Sequence, residues 1–169
     1  KGAVINPLIS GGSQERGFRA GTQNLPAIIG FEKAAKMTFD KIDENYKSVL
    51  DIKEYMIERL KEIKDIRINS PLEDDFSPYI LNVSFIGARA EVLLHLLEDS
   101  KIYVATGSAC TSKSSAGSGS YVIKALGLNN KEVESAIRFS FGHDNKREEV
   151  DKTIEVLKTS LMFLRRLRK

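Results

Sequence analysis

The sequence predicts an α/β chain of the α+β kind, a small sheet with helices over one face. Apolar residues recur at helical spacing over long stretches near both ends. Short runs between them alternate apolar and polar, and glycine, proline and asparagine punctuate the joints. Strands interleaved with helices must bury a shared apolar face, and 169 residues suffice for one core and an appended piece of a second.

Residues 1–24 are rich in loop formers, with Gly11, Gly12, Gly17 and Gly21 as breaks. A helix is expected from Leu25-Pro26, since proline fits a first turn. Ile28, Ile29, Phe31, Ala34 and Ala35 form its apolar stripe. A second stripe through Tyr46, Val49, Leu50, Ile52, Met56, Ile57 and Leu60 continues to about Ile63, as one long helix or two joined near Phe39–Asn45. Ile66–Ile68 reads as a short strand, and Ser70-Pro71 with Glu73-Asp74-Asp75 as an acidic turn. Tyr79–Phe85 alternates, placing Leu81, Val83 and Phe85 on one face. A helix over Ala90–Glu98 and a strand at Ile102-Tyr103-Val104 follow. Tyr121–Leu126 is a short helix stopped by Gly127, and Asn129 or Asn130 caps the next turn. Ile137–Phe141 alternates again, and Glu148–Leu167 is a closing amphipathic helix.

A net charge of +3 is too small to argue for nucleic acid. Arg165, Arg166, Arg168 and Lys169 supply much of it, in a helix end where the macrodipole favours cations and water covers them. No apolar run approaches the ~20 residues of a membrane span. The one cysteine excludes an internal disulfide framework and suits a reducing cytoplasmic compartment. The chain opens with Lys1 rather than methionine, and Lys1–Ile5 reads like the middle of a hairpin, so the expectation is a piece of something larger.

That cysteine, Cys110, sits in Ala105–Ser120, where no side chain except Lys113 is large enough to build a core. A structural cysteine hides in apolar packing; this one reads as an accessible nucleophile. Arg138 shares its strand face with the small Ala136 and Ser140, leaving a notch for a ligand carboxylate held by two parallel N–H···O bonds. A structural salt bridge to a helix acid accounts for Arg138 equally well. Gly11–Asn24 carries exposed backbone N–H groups, Thr22 and two arginines just before a helix, an anion site for phosphate in particular. It matches neither the Walker spacing nor G-x-G-x-x-G.

In this order the motifs Gly-Gly-x-Gln-Glu-x-Gly-x-Arg-x-Gly-Thr-x-Asn (11–24), Leu81-Asn82-Val83-Ser84-Phe85, Gly107-Ser108-Ala109-Cys110-Thr111-Ser112 and Ile137-Arg138-Phe139-Ser140-Phe141-Gly142 resemble the C-terminal portion of a cysteine desulfurase of the NifS/IscS type. This is a class V aminotransferase relative among the fold-type I pyridoxal phosphate enzymes. The resemblance implies residues 1–24 as the tail of a large cofactor-binding domain with its active-site loop, and 25–169 as a small domain with its linking helix. It implies pyridoxal 5'-phosphate as cofactor and L-cysteine as substrate, with L-alanine as product. Cys110 is then the nucleophile that becomes a persulfide and at most a transient iron–sulfur ligand, with no resident metal. Arg138 binds the substrate carboxylate, Thr22 bonds the cofactor phosphate across a homodimer interface, and Arg16 and Arg19 line the approach. The extended loop after Cys110 resembles the subgroup serving iron–sulfur cluster assembly, with a scaffold or other sulfur acceptor as partner. About eight small residues beyond Cys110 give a flexible tether of roughly 15 Å r.m.s. reach.

The family's cofactor lysine lies upstream in Ser/Thr-x-His-Lys, and neither His95-Leu96 nor His143-Asp144 supplies that motif. The lysine is therefore expected outside this chain, which alone is inactive. His95 reads as packing within an apolar helix, and His143 has no partner legible in the sequence. The competing reading is a non-catalytic dimerisation or partner-docking piece with idle site residues.

Overall fold

A computed structural model describes residues 6–70, 72–73, 76–107 and 121–167. Cys110, most of its loop, Lys1–Ile5, Pro71, Asp74, Asp75, Arg168 and Lys169 lie outside the described residues. The chain divides into two compact units, residues 1–42 and 43–169.

The first unit holds a glycine-rich loop and helix α1 (Leu25–Phe39). Asn24 starts the helix by accepting a hydrogen bond from Ala27 N at 3.1 Å, with Pro26 in the first turn. Thr38 returns its hydroxyl to Ala34 O at 2.9 Å, and Lys41 N closes a tight turn on Thr38 O at 3.3 Å. The helix ends there, so the apolar stripes belong to two helices. No residue of α1 is buried; Ile28, Ile29 and Phe31 remain 52%, 62% and 77% exposed.

The second unit carries the core. Its elements are α2 (Ile42–Leu60, whose first residue falls in the other unit), β1 (Ile66–Ile68), β2 (Ile80–Phe85), α3 (Ala90–Asp99), β3 (Ala105–Thr106), α4 (Tyr121–Ala125), α5 (Asn130–Glu134), β4 (Ala136–Ser140) and α6 (Arg147–Leu167). The strands form one antiparallel sheet in the order β1-β2-β4-β3. Leu81, Val83, Phe85, Ile137 and Phe139 share one face and pack with Ile52, Met56 and Leu60 of α2, Leu93 and Leu97 of α3, and Val150, Ile154, Leu157 and Leu161 of α6. Phe85 and Phe139 meet edge to face with centroids 6.4 Å apart. Each sealed Leu or Phe contributes about 1.5–3 kcal/mol of apolar burial.

Buried Lys53 of α2 donates from Nζ to Ser77 O at 3.0 Å, and desolvation lowers its pKa. It ties the segment before β2 to the helix layer.

Ile102-Tyr103-Val104 is not a strand; the ladder begins at Ala105. α3 ends in a Schellman turn, Ile102 N bonding Leu97 O at 2.9 Å and Lys101 N bonding Glu98 O at 2.8 Å, with Lys101 left-handed at φ 63°. Those three residues climb out of the turn, Ile102 and Val104 packing on the core, before pairing with β4 starts. Nor is Arg165 merely solvated: it donates to Ile86 O and Asp65 O, both at 3.0 Å, tying α6 to the two turns. His95 is not packed; its side chain is 73% exposed and lies 3.3 Å from Glu98. His143 has a neighbour, Asp144 Oδ1, at 3.3 Å.

Candidate active site

The first unit contributes the loop. A single 3-10 turn, Gln14–Gly17, runs through left-handed Glu15 (φ 52°) and Arg16 (φ 56°). Gly21 follows at φ 99°, a conformation that strains any residue with a Cβ. Gln14 Oε1 accepts from Gly21 N at 3.3 Å. Arg19 folds onto its own loop, donating to Gly21 O at 2.6 Å and approaching Glu15 at 3.6 Å. Arg16 and Thr22 are exposed, and among the described residues neither side chain has a hydrogen-bond or ionic partner. The loop is thus held by Gln14 and Arg19, while a hydroxyl and a guanidinium stay available to an anion. That donor set fits a phosphate; Arg19 spends its charge on loop carbonyls.

The second unit contributes Arg138, exposed on β4. Across the sheet it faces Asn82 of β2 and Ala105 of β3, and along its strand the same face carries Ala136 and Ser140. All four neighbours are small. One flank is nevertheless closed: Ala136 packs with Ile123, Leu128 and Val133 from the α4–α5 region. The notch expected on both sides of Arg138 therefore opens only toward Asn82, Ala105 and Ser140.

Among the described residues Arg138 has no carboxylate within salt-bridge distance and no hydrogen-bond partner. Arg59, Arg67 and Arg147, by contrast, each hold an acid. On Arg138's own face Arg67 takes Glu132 at 2.9 Å, and that hydrogen bond, with one from Asn129 N, holds the Glu132 carboxyl below its usual range. Glu132 is thus engaged by Arg67. Among the described residues no salt bridge to Arg138 forms.

β3 leads directly into the segment bearing Cys110. Cys110 follows Ala105, opposite Arg138, by five positions, a covalent span of at most about 17 Å. Arg16, Arg19 and Thr22 share one loop of the first unit, Arg138 stands in the second, and Cys110 lies outside the described residues. A cavity of about 340 Å3 is lined by Ile52, Met56, Phe139 and Val150 among others. It belongs to the core side of the sheet, and Arg138 is not in its lining.

A family model for class-V aminotransferases matches residues 8–153. The chain belongs to that family. The class-V match contains the 11–24 loop, Cys110 and Arg138, and ends inside α6. The chain is 38% identical over 161 residues to a protein named cysteine desulfurase IscS from Vibrio cholerae, covering 95% of this chain and 39% of that one. It is 36% identical over 167 residues to a cysteine desulfurase IscS of Methanosarcina thermophila, covering 99% of this chain and 41% of the relative. A solved structure described as a NifS-like protein superposes with a TM-score of 0.77 at 34% identity, over 96% of this chain and 40% of the other. A NifS-like protein from Rickettsia africae gives 0.74 at 28% identity, over 93% of this chain and 40% of its own. This class-V chain thus spans about 40% of the length of the curated relatives it matches. Among the described residues no helix is long and apolar enough to cross a membrane.

Sequence reasoning did not single out Asn82 or Asn69. Asn82 was visible as the polar residue between Leu81 and Val83, but only the β2–β4 register sets it opposite Arg138.

Proposed function

We propose that this chain is the C-terminal part of a pyridoxal-phosphate-dependent cysteine desulfurase. In that reading L-cysteine and the Cys110 thiol give L-alanine and a Cys110 persulfide, one sulfur atom moving with no net oxidant or reductant. The unpartnered Arg138 guanidinium, on the strand beside the one that leads to Cys110, carries the reading. The names of the similar proteins support it.

Arg138 holds the substrate carboxylate in a bidentate fork, with its Ser140 side left open by small neighbours. Thr22 and the Gly21 backbone hold the cofactor phosphate, and Arg16 adds positive charge to the approach. The cofactor, when bound, supplies the electron sink that makes carbon–sulfur cleavage accessible. Its lysine is contributed by a larger domain of which residues 1–24 are the tail. The exposed stripe of α1 is a face for that domain or for a second subunit of a homodimer. Cys110, as thiolate, is the nucleophile and hands sulfur to an acceptor protein, an iron–sulfur scaffold in the first instance, in a reducing cytoplasm.

The test uses the full-length protein loaded with cofactor. L-Alanine and enzyme-bound sulfur should form in equal amounts from L-cysteine. Cys110→Ser should retain the cofactor and release no sulfur, because a hydroxyl is a far weaker nucleophile than a thiolate. Substantial sulfur release by the serine variant removes Cys110 from the reaction. Residues 1–169 alone should give no sulfide above a protein-free control, whereas turnover by them places the cofactor lysine within this chain.

A further inference from the structure

We propose that Asn82 is a second binding residue for the carboxylate held by Arg138, donating a side-chain N–H to it, and that Asn69 is the positioning residue that aims it. This rests on the reading of Arg138 as a carboxylate clamp.

Asn82 is fixed at three of its four polar groups. Its backbone N donates to Ser70 Oγ at 3.1 Å, and its backbone O accepts from Asn69 N at 2.8 Å. Its side-chain Oδ1 accepts from Asn69 Nδ2 at 2.7 Å. Only Nδ2 is left, and it neither bonds to a described residue nor is sealed from solvent. Because the amide oxygen is taken on the Asn69 side, the free end of Asn82 offers donors and no acceptor. Arg138, directly opposite on β4, also offers only donors. Side chains at paired positions stand about 4.5–5.5 Å apart at Cβ, within reach of one ligand. Two donor-only groups on facing strand positions, with no described acid paired to either, select an anion.

Asn69 is the buried amide that holds the Asn82 side chain. It is only 9% exposed and spends both amide hydrogens, the second going to the fully buried Ser84 Oγ at 2.9 Å. Its Oδ1 is left buried with no hydrogen bond. An apolar side chain would remove that orphaned oxygen, but it would leave the buried Ser84 hydroxyl without its partner and the Asn82 amide unheld. Besides satisfying Ser84, the arrangement fixes the orientation of the Asn82 amide.

The experiment measures binding of L-alanine and of ethylamine, its counterpart without the carboxylate, to the cofactor-loaded full-length protein by calorimetry. Asn82→Asp keeps the shape and the acceptor for Asn69 but replaces the outward donor with an anionic oxygen. It should weaken L-alanine more than tenfold and leave ethylamine unchanged or tighter. Asn82→Ala should weaken L-alanine about tenfold, the loss of one hydrogen bond to a charged group, and leave ethylamine unchanged. Asn69→Ala should weaken L-alanine alone, by less. Equal losses for both ligands, or no loss for L-alanine in either Asn82 variant while Arg138→Ala weakens it, overturn the proposal and leave the clamp reading standing. If Arg138→Ala also leaves L-alanine binding unchanged, the clamp reading itself fails.

Discussion

On one face of the sheet, Leu81, Val83, Phe85, Ile137 and Phe139 are sealed under α2, α3 and α6. On the other, Asn82, Arg138 and Ser140 stay partly or wholly open, while Ser84, opposite Ala136, is buried. Both sets come from the same two strands and differ only in parity. A strand turns successive side chains to opposite sides, so stability and recognition interleave residue by residue. A one-residue slip of β4 would exchange them. The open face is not uniformly open, since α4 and α5 cover its Ala136 end and leave the Arg138 end free. That half-cover gives a notch with one wall.

The sharpest way to break the comparison is to substitute one residue from each face. Phe85→Ala on the sealed face should cost about 3–5 kcal/mol of unfolding free energy, read by chemical denaturation. A loss near zero would show that this face is not the core. Arg138→Ala on the open face should leave the denaturation midpoint within error of the parent, because no described residue pairs with it. It should weaken L-cysteine binding by about 1.5–3 kcal/mol. A falling midpoint with unchanged binding would assign Arg138 to structure. Between the two lies the half-cover. Asn129 caps α5 through a reciprocal box, accepting from Glu132 N at 3.1 Å while its own N donates to Glu132 at 2.8 Å. Asn129→Ala should cost about 1 kcal/mol. Amide exchange over 130–137 should speed up more than exchange over 80–85; a uniform increase would deny that α5 acts locally.

Parity made much of this legible in the sequence. Alternation in Tyr79–Phe85 and Ala136–Phe141 marked the buried partners correctly, and set Arg138 apart from Ile137 and Phe139 before any register was known. Periodicity likewise located α2, α3 and α6. What it did not carry was pairing. That Asn82 lies opposite Arg138 depends on which residues hydrogen-bond across strands 56 positions apart, and that Ala136 is covered depends on where α5 packs. The strand expected at 102–104 failed for a local reason: a Schellman turn needs a left-handed residue, usually glycine, and Lys101 fills that place. Arg165 read as solvated because the carbonyls it caps, Asp65 and Ile86, are distant in sequence.

The smallest effect concerns the charge pair beside the notch. Arg67 and Glu132 meet at 2.9 Å, and the carboxyl's pKa is lowered first by that hydrogen bond and then by the one from Asn129 N. A carboxyl whose folded pKa lies below its unfolded value stabilises the fold above the unfolded value, about 4.3 for Glu. That stabilisation fades as pH falls through the lowered folded value. Glu132→Gln should therefore be less stable than the parent at pH 7, and the gap should close as pH drops below about 4.3. Added salt should narrow it at neutral pH, since the pair is solvent-screened. Denaturation midpoints of both proteins between pH 3 and 7, at low and high salt, decide the matter. A gap independent of pH would mean that the amide is lost as a cap partner for Asn129 rather than as a charge for Arg67. Arg67 would then hold Glu132 without contributing charge stabilisation to this face of the sheet.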